Sequence, residues 1–246
     1  MVSNSFLLQI IRAKVMRVLA FDVYGTLVDV HGIREIAEPF LADQSSAFLA
    51  RWREKTLEYA FRRGLMEYYA DFGECSRQAL DFVDLEMRTR LAPEERQALL
   101  DAQQRLPAFP DAATALAQLR QAKQLLVAFS NGTARAVNQI LSAAHLAGYF
   151  SQVISVDEVR TFKPSPAVYA YLTRCVGIDA RSVWLISSNG WDVIGAKSAG
   201  LRAVWVCRSQ DQVLDPWDIE PDAIVGDLMA CARFFDQTDG HGIYLP

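Results

Sequence analysis

A chain of 246 residues, half of them hydrophobic, is long enough for one large α/β domain or for a core carrying a smaller inserted domain. Its 25 basic and 29 acidic side chains leave a net charge of −4 that is spread rather than blocked, which disfavours nucleic acid or an anionic membrane surface as a partner. Cys75, Cys175, Cys207 and Cys231 lie far apart, form no CxxC pair and do not cluster with His31, His145 or His241, so neither a zinc site nor a disulfide scaffold is suggested and a cytoplasmic setting is expected.

The first apolar run, Phe6 to Ile11, is too short to span a bilayer, and the Arg12-Ala13-Lys14 that follows is unlike a small-residue cleavage site. Met16 stands just before the first predicted strand, so residues 1–15 read as an upstream extension or a start-site choice. Val18-Leu19-Ala20-Phe21 then forms an apolar strand running into Asp22 and a Tyr24-Gly25-Thr26 turn, which sets a carboxylate at a strand end where backbone amides of the turn can orient it. Taken alone, that segment is equally a strand capped by an acidic turn.

From Val30 to Pro107 the pattern is charged and helical, with no β-branched run. The window Ser45 to Arg63 predicts one helix in which Leu49, Arg53, Leu57 and Phe61 recur at i, i+4, so Arg53 shares a stripe with three apolar side chains. It reads either as a snorkelling arginine at the stripe edge or as a functional one. Trp52 and Tyr59 read as packing residues of the same helix.

Beyond Asp111, short apolar runs at Leu125–Phe129, Val153–Val156, Val183–Ile186 and Ala203–Val206 alternate with helical patterns at Ala134–Ala144, Ala167–Val176 and Asp192–Ala199. Continuous apolar strands joined by helices predict an α/β fold, a Rossmann-like doubly wound parallel sheet buried on both faces. The expected division is a catalytic core of residues 1–29 and 108–246 and a helical cap of residues 30–107 inserted after the first strand. Such sheets bind ligands at the carboxyl ends of their strands, and Asp22, Ser130-Asn131, Lys163 and Ser187 to Asp192 all fall there. Lys163 alone is equally a solvated loop lysine, and Asp192 equally an acid at a helix N-terminus. Four strand ends converging in order favour a site, in which an ammonium near Asp22 favours the carboxylate anion and Asp192 balances the ammonium.

FDVYGTL resembles motif I of the haloacid dehalogenase superfamily, and the later segments narrow the resemblance to the L-2-haloacid dehalogenases. Trp52 to Tyr59, Ser130-Asn131-Gly132, Phe162-Lys163-Pro164 with Tyr169, and Ser187 to Asp192 are each similar to signatures of that family, although Glu54 and Thr56 depart from its WRQKQLEY helix. Superfamily phosphatases carry a second acid two positions after the nucleophile and a Gly-Asp pair that helps hold magnesium. Here those positions are Tyr24 and Ser187-Ser188. A halide leaves without needing a proton, and a monoanionic haloacid needs no divalent clamp, so both losses fit dehalogenation.

The resemblance implies hydrolysis of short L-2-haloalkanoic acids to D-2-hydroxy acids, with a 2-haloacid and water as small-molecule partners, halide released, and no cofactor or metal. In that reading Asp22 is the nucleophile and Lys163 supports it, Ser130 and the amides around Asn131 hold the substrate carboxylate, and Arg53 and Asn189 face the halide. Tyr24, Leu57, Phe72 and Trp191 form an apolar wall. Thr26, Ser187 and Tyr169 orient Asp22 and Lys163, while Asp192 and Asn189 place the hydrolytic water. Relatives of this kind are commonly homodimers. Two rival readings stay open on the sequence: a phosphatase or phosphotransferase of the same superfamily, and a non-catalytic binding protein on this fold.

Overall fold

A computed structural model describes residues 17–240; the leading segment read as an extension, Met16 and His241 lie outside the described residues. Among the described residues six strands form one parallel sheet in the order β3-β2-β1-β4-β5-β6, with β1 Val18–Phe21, β2 Leu125–Ser130, β3 Gln152–Ser155, β4 Val183–Ser187, β5 Arg202–Val206 and β6 Ala223–Val225. The central strand β1 is buried throughout, and its residues alternate between two apolar clusters, Leu19 and Phe21 on one face and Val18 and Ala20 on the other. A strand covered on both faces has no use for polar alternation, which is why these strands read as continuous apolar runs.

Because every pair of neighbours is parallel, each connection must cross over, and helices α5 (Ala112–Gln121), α6 (Ala134–Ala143), α7 (Pro166–Val176) and α8 (Gly190–Ser198) supply four of the five crossovers, while residues 207–222 join β5 to β6 without a helix. Between β1 and α5 the chain detours through α1 (Arg34–Leu41), α2 (Ser45–Leu65), α3 (Phe72–Met87) and α4 (Pro93–Gln103). The outgoing and returning segments are pinned to each other: Asp29 N donates to Pro107 O at 2.8 Å and Phe109 N to Leu27 O at 2.9 Å. Helix α2 packs on α3 through Trp52, whose indole donates to Ser76 O at 2.8 Å, and through Tyr59, edge-on to Phe82 at 6.2 Å. Lys55 is buried between them, paired with Glu58 at 2.6 Å and 4.2 Å from the Phe82 ring centre.

Element ends differ from the sequence reading in local ways. Strand β3 stops at Ser155, not Val156, because Ser155 Oγ accepts the Asp157 amide at 3.1 Å and turns the chain into a 3-10 turn. Helix α8 starts at Gly190, two residues before Asp192, so that acid lies inside the first turn. Strand β6 and the terminal helix α9 (Leu228–Gly240) are absent from the sequence reading. β6 is three residues at the sheet edge with Ile224 exposed between two half-buried neighbours, whereas α9 buries Phe235 against Trp184, ring centres 5.1 Å apart.

Candidate active site

The register of the sheet sets the site. Phe21 pairs with Ala128 and Ile186, so Asp22 emerges beside the ends of β2 and β4. Its amide continues the ladder to Ile186 O at 3.0 Å, and the chain then folds so that Leu27 N and Val28 N both reach back to Val23 O, at 2.9 and 3.1 Å. Gly25 makes this turn at φ +84, and a Cβ there would stand 3.1 Å from the Arg53 guanidinium.

Asp22 is 5 % exposed and its two oxygens are held differently. Oδ2 accepts from Thr26 Oγ1 and from Asn189 Nδ2, each at 2.8 Å. Oδ1 accepts from Lys163 Nζ at 3.1 Å. The ammonium also donates to Asp192 Oδ2 and to Phe129 O, both at 2.9 Å, so its three protons are all engaged in a fully buried position. Burial pulls the Lys163 pKa down, but Asp192 and Asp22 more than offset this and leave it raised, so the group stays an ammonium. Asp192 is buried completely; desolvation raises its pKa against the opposing pull of Lys163. The Tyr169 hydroxyl, 2.8 Å from Asp192 Oδ1, fixes the other oxygen. Room for that contact comes from Gly195, where a Cβ would lie 2.5 Å from Tyr169 Oη.

Arg53 projects from α2 to the same turn and donates to Asn189 Oδ1 at 2.8 Å, with the Tyr24 carbonyl 3.5 Å away. Asn189 therefore bridges the two halves, its Nδ2 on Asp22 and on Tyr24 O at 3.1 Å and its Oδ1 on Arg53. Burial lowers the Arg53 pKa and Asp22 opposes the shift. Burial, followed by the charge of Asp22, pushes the Tyr24 hydroxyl up to about 12.

A cleft of about 520 Å³ opens above this layer, with Tyr24, Arg53, Leu57, Phe72 and Gly132 among its lining. Asp22, Ser130, Asn131 and Trp191 are not part of the lining. Trp191 stands edge-on to Phe61 at 5.3 Å, behind the wall the sequence assigned it to. Ser130 and Asn131 are buried in the loop after β2: Ser130 Oγ accepts from Gly132 N at 3.2 Å, and Asn131 Oδ1 accepts the Lys163 amide at 2.9 Å.

The fourteen sequence-nominated residues gather at the head of the sheet or over it. Ser187 Oγ accepts the Asn189 amide at 3.1 Å, so it bears on Asp22 only through Asn189. Tyr169 reaches the lysine through Asp192. Sequence reasoning passed over Ser155, whose hydroxyl donates to Gly132 O at 2.7 Å, and Gly195; a serine at a strand end and a glycine three residues after Asp192 were the available signals. Ser188, read in the sequence only as the place of a missing metal-holding acid, donates its amide to Thr26 Oγ1 at 2.9 Å, and its own buried Oγ has no partner among the described residues. No group of three or more His, Cys, Asp or Glu side chains suited to a metal occurs among the described residues, and no helix there is long and apolar enough to cross a membrane.

Known proteins match this chain in sequence and fold over most of its length. Residues 16–200 match the family described as haloacid dehalogenase-like hydrolase. An (S)-2-haloacid dehalogenase of Pseudomonas putida is 33% identical over 85% of this chain and 92% of its own. A solved L-2-haloacid dehalogenase superposes with a TM-score of 0.87 at 31% identity, covering 90% of this chain and 99% of the other. The L-2-haloacid dehalogenase of Xanthobacter autotrophicus with chloropropionic acid covalently bound gives a TM-score of 0.82 at 31% identity, covering 90% and 98%. On sequence and overall fold together, the chain belongs to the haloacid dehalogenase-like hydrolases, on the L-2-haloacid dehalogenase branch.

Proposed function

We propose that this protein hydrolyses short L-2-haloalkanoic acids to D-2-hydroxy acids by way of an ester on Asp22. The observation that carries the reading is the unequal treatment of the Asp22 oxygens: Oδ2 has two donors, whereas Oδ1 has Lys163 alone and keeps a lone pair for attack. Oδ1 displaces halide from the substrate carbon, and the ester forms without a proton or a metal being needed. The ester carbonyl oxygen is then Oδ2, already in the grip of Thr26 and Asn189, which become the donors that stabilise the oxyanion when water adds to the Asp22 carboxyl carbon. Asp192 is the base for that water, made more basic by its burial.

Arg53 commits one nitrogen to Asn189 and has further donors for the departing halide. The Ser130 hydroxyl and the amides of the loop after β2 suit the substrate carboxylate. Tyr24, Leu57 and Phe72 give the cleft an apolar wall, and Trp191 supports it through Phe61. Stripping water from a carboxylate nucleophile strengthens both it and the cationic contacts around it. The helical segment of residues 30–107 then serves as a cap that brings Arg53 and Phe72 over the core. A relative holding chloropropionic acid covalently supports the ester route. A phosphatase on this scaffold would need an acid at position 24, and Tyr24, held protonated far above neutral pH, is a poor one. The four free cysteines, two of them buried, support a cytoplasmic setting. The exposed Leu65, Met66 and Tyr68 at the end of α2 support the homodimer that the resemblance implies.

The test is a single turnover with L-2-chloropropionate in heavy-oxygen water with EDTA present. Halide should be released at the rate seen without chelator, label should enter the Asp22 carboxylate before the product, and the product should be the D-hydroxy acid. Label going directly into product, retention of configuration, or a requirement for magnesium would overturn the reading.

A further inference from the structure

Arg208, just after β5, belongs to none of the roles above, yet it ties together four separate segments. Its Nη1 and Nη2 donate to the two oxygens of Asp111 at 3.1 and 3.2 Å, Nη2 also donates to Thr26 O at 2.8 Å, and the guanidinium lies 3.8 Å over the Phe109 ring. Asp111 in turn accepts the Leu228 amide at 2.7 Å, and Phe109 N is bonded to Leu27 O. One side chain thus grips the turn after Asp22, the returning end of the helical insertion, the start of α5 and, through Asp111, the start of α9.

We propose that Arg208 is a positioning residue for the displacement step, holding Asp22 at its attack geometry through Thr26; this rests on the reading of Asp22 as the nucleophile. Thr26 is held at both ends. Its Oγ1 donates to Asp22 Oδ2 and accepts from Ser188 N, while its carbonyl accepts from Arg208. Turning the Thr26–Leu27 peptide would swing the hydroxyl off the carboxylate; the Leu27 amide on Val23 O holds one side of that peptide and the arginine on Thr26 O holds the other. A planar fork with a spare donor can serve a carboxylate and a carbonyl at once, which an ammonium cannot do in the same geometry. Two further observations separate this from plain structural packing. Arg208 Nε is buried with no partner among the described residues, a cost to stability that an apolar side chain of the same size would avoid. Asp111 also neutralises the guanidinium, so the residue contributes geometry to the site and not a field.

The test follows ester formation on Asp22 with 2-chloropropionate by rapid quench in wild type, Arg208→Met, Arg208→Lys and Asp111→Asn, with rates taken per folded molecule from near-UV circular dichroism. Displacement in Arg208→Met should slow by about ten- to a hundredfold, the range expected when reacting atoms are misplaced by a fraction of an ångström to one ångström. KM should stay within about twofold and the shape of the pH profile should not change, since only geometry is lost. Arg208→Lys should recover part of the rate, and in a further variant, Arg208→Ala, whose truncation leaves room for it, added guanidinium ion should raise the rate. A wild-type displacement rate in Arg208→Met, or a loss that merely tracks the folded fraction, overturns the proposal. Should Arg208→Met fail to fold, an unchanged rate in Arg208→Lys and Asp111→Asn overturns it equally. Absence of any ester in wild type would instead remove the reading of Asp22, and is seen before a variant is compared.

Discussion

On the sheet side of the site Asp22, Lys163 and Asp192 are buried, and the lysine has spent every proton it has. On the insertion side Arg53, Leu57 and Phe72 are half-buried, line an open cleft, and touch the core at few polar points. The first arrangement is costly to disturb because each group in it satisfies another; the second leaves side chains free to meet a ligand. On the proposed route chemistry belongs to the strand ends, and substrate shape to the helices that interrupt them. Substitutions on the two sides should differ in kind as well as in size.

The largest effect is expected from Asp22→Asn. An amide does not attack carbon and no second acid stands at position 24, so steady-state halide release should vanish while the protein stays folded; turnover surviving in a variant verified by mass would break the assignment. Lys163→Ala should come next, because it leaves two buried carboxylates facing one another. Breaking such a pair costs about 3–5 kcal/mol, measurable by urea unfolding, and ester formation should slow as well. A stability change under about 1 kcal/mol would mean that water replaces the ammonium easily and that the contrast between the two sides is overstated.

On the insertion side, Arg53→Ala should lower the displacement rate by about a hundred- to a thousandfold, the range for losing one donor at a developing charge, with little change in unfolding free energy. An unchanged burst of halide would contradict its assignment. Phe72→Ala should act mainly on selectivity, costing about tenfold in kcat/KM for 2-chloropropionate and less for longer 2-haloacids that fill the space, as compared across a chain-length series. Equal losses for every chain length would argue that Phe72 holds structure and not substrate.

The smallest change sharpens the sheet side. On the proposed route hydrolysis needs Asp192 ionised, and burial raises its pKa, so the acid limb of ester breakdown should lie above the ordinary carboxylate range, activity falling as pH drops through it. The Tyr169 hydrogen bond lowers that pKa, so Tyr169→Phe should move the limb to higher pH. A limb that does not move in single-turnover pH profiles would take Asp192 out of the role of base.

Much of the sheet side is legible in the sequence because its residues announce themselves locally: an apolar run ends, and Asp22, Ser130 or Ser187 follows. Helix periodicity likewise places Arg53 on a stripe with Leu49 and Leu57. What sequence reading misses is contact between distant segments with no local pattern. Arg208 and Asp111 are 97 residues apart, and neither disturbs the periodicity around it. Gly195 matters only because Tyr169 approaches it from another helix, and β6 is too short to show a strand pattern. Which neighbour Ser187 acts through is also hidden, because a strand-end serine looks alike whether it bonds a carboxylate or, as here, the amide of the next turn.

Asn189 lies between Asp22 and Arg53, its amide nitrogen on one and its oxygen on the other. With Lys163 and Asp192 the site holds two anions and two cations, so on the proposed route a bound substrate brings its one negative charge to a balanced set. When Asp22 attacks, its charge disappears beside Lys163 as charge appears on the halogen beside Arg53. Displacement then moves one unit of charge from one fixed cation toward the other along the Asn189 dipole and creates none. A dry, preset dipole has little left to reorganise during that transfer, and the halide that leaves restores the balance it found.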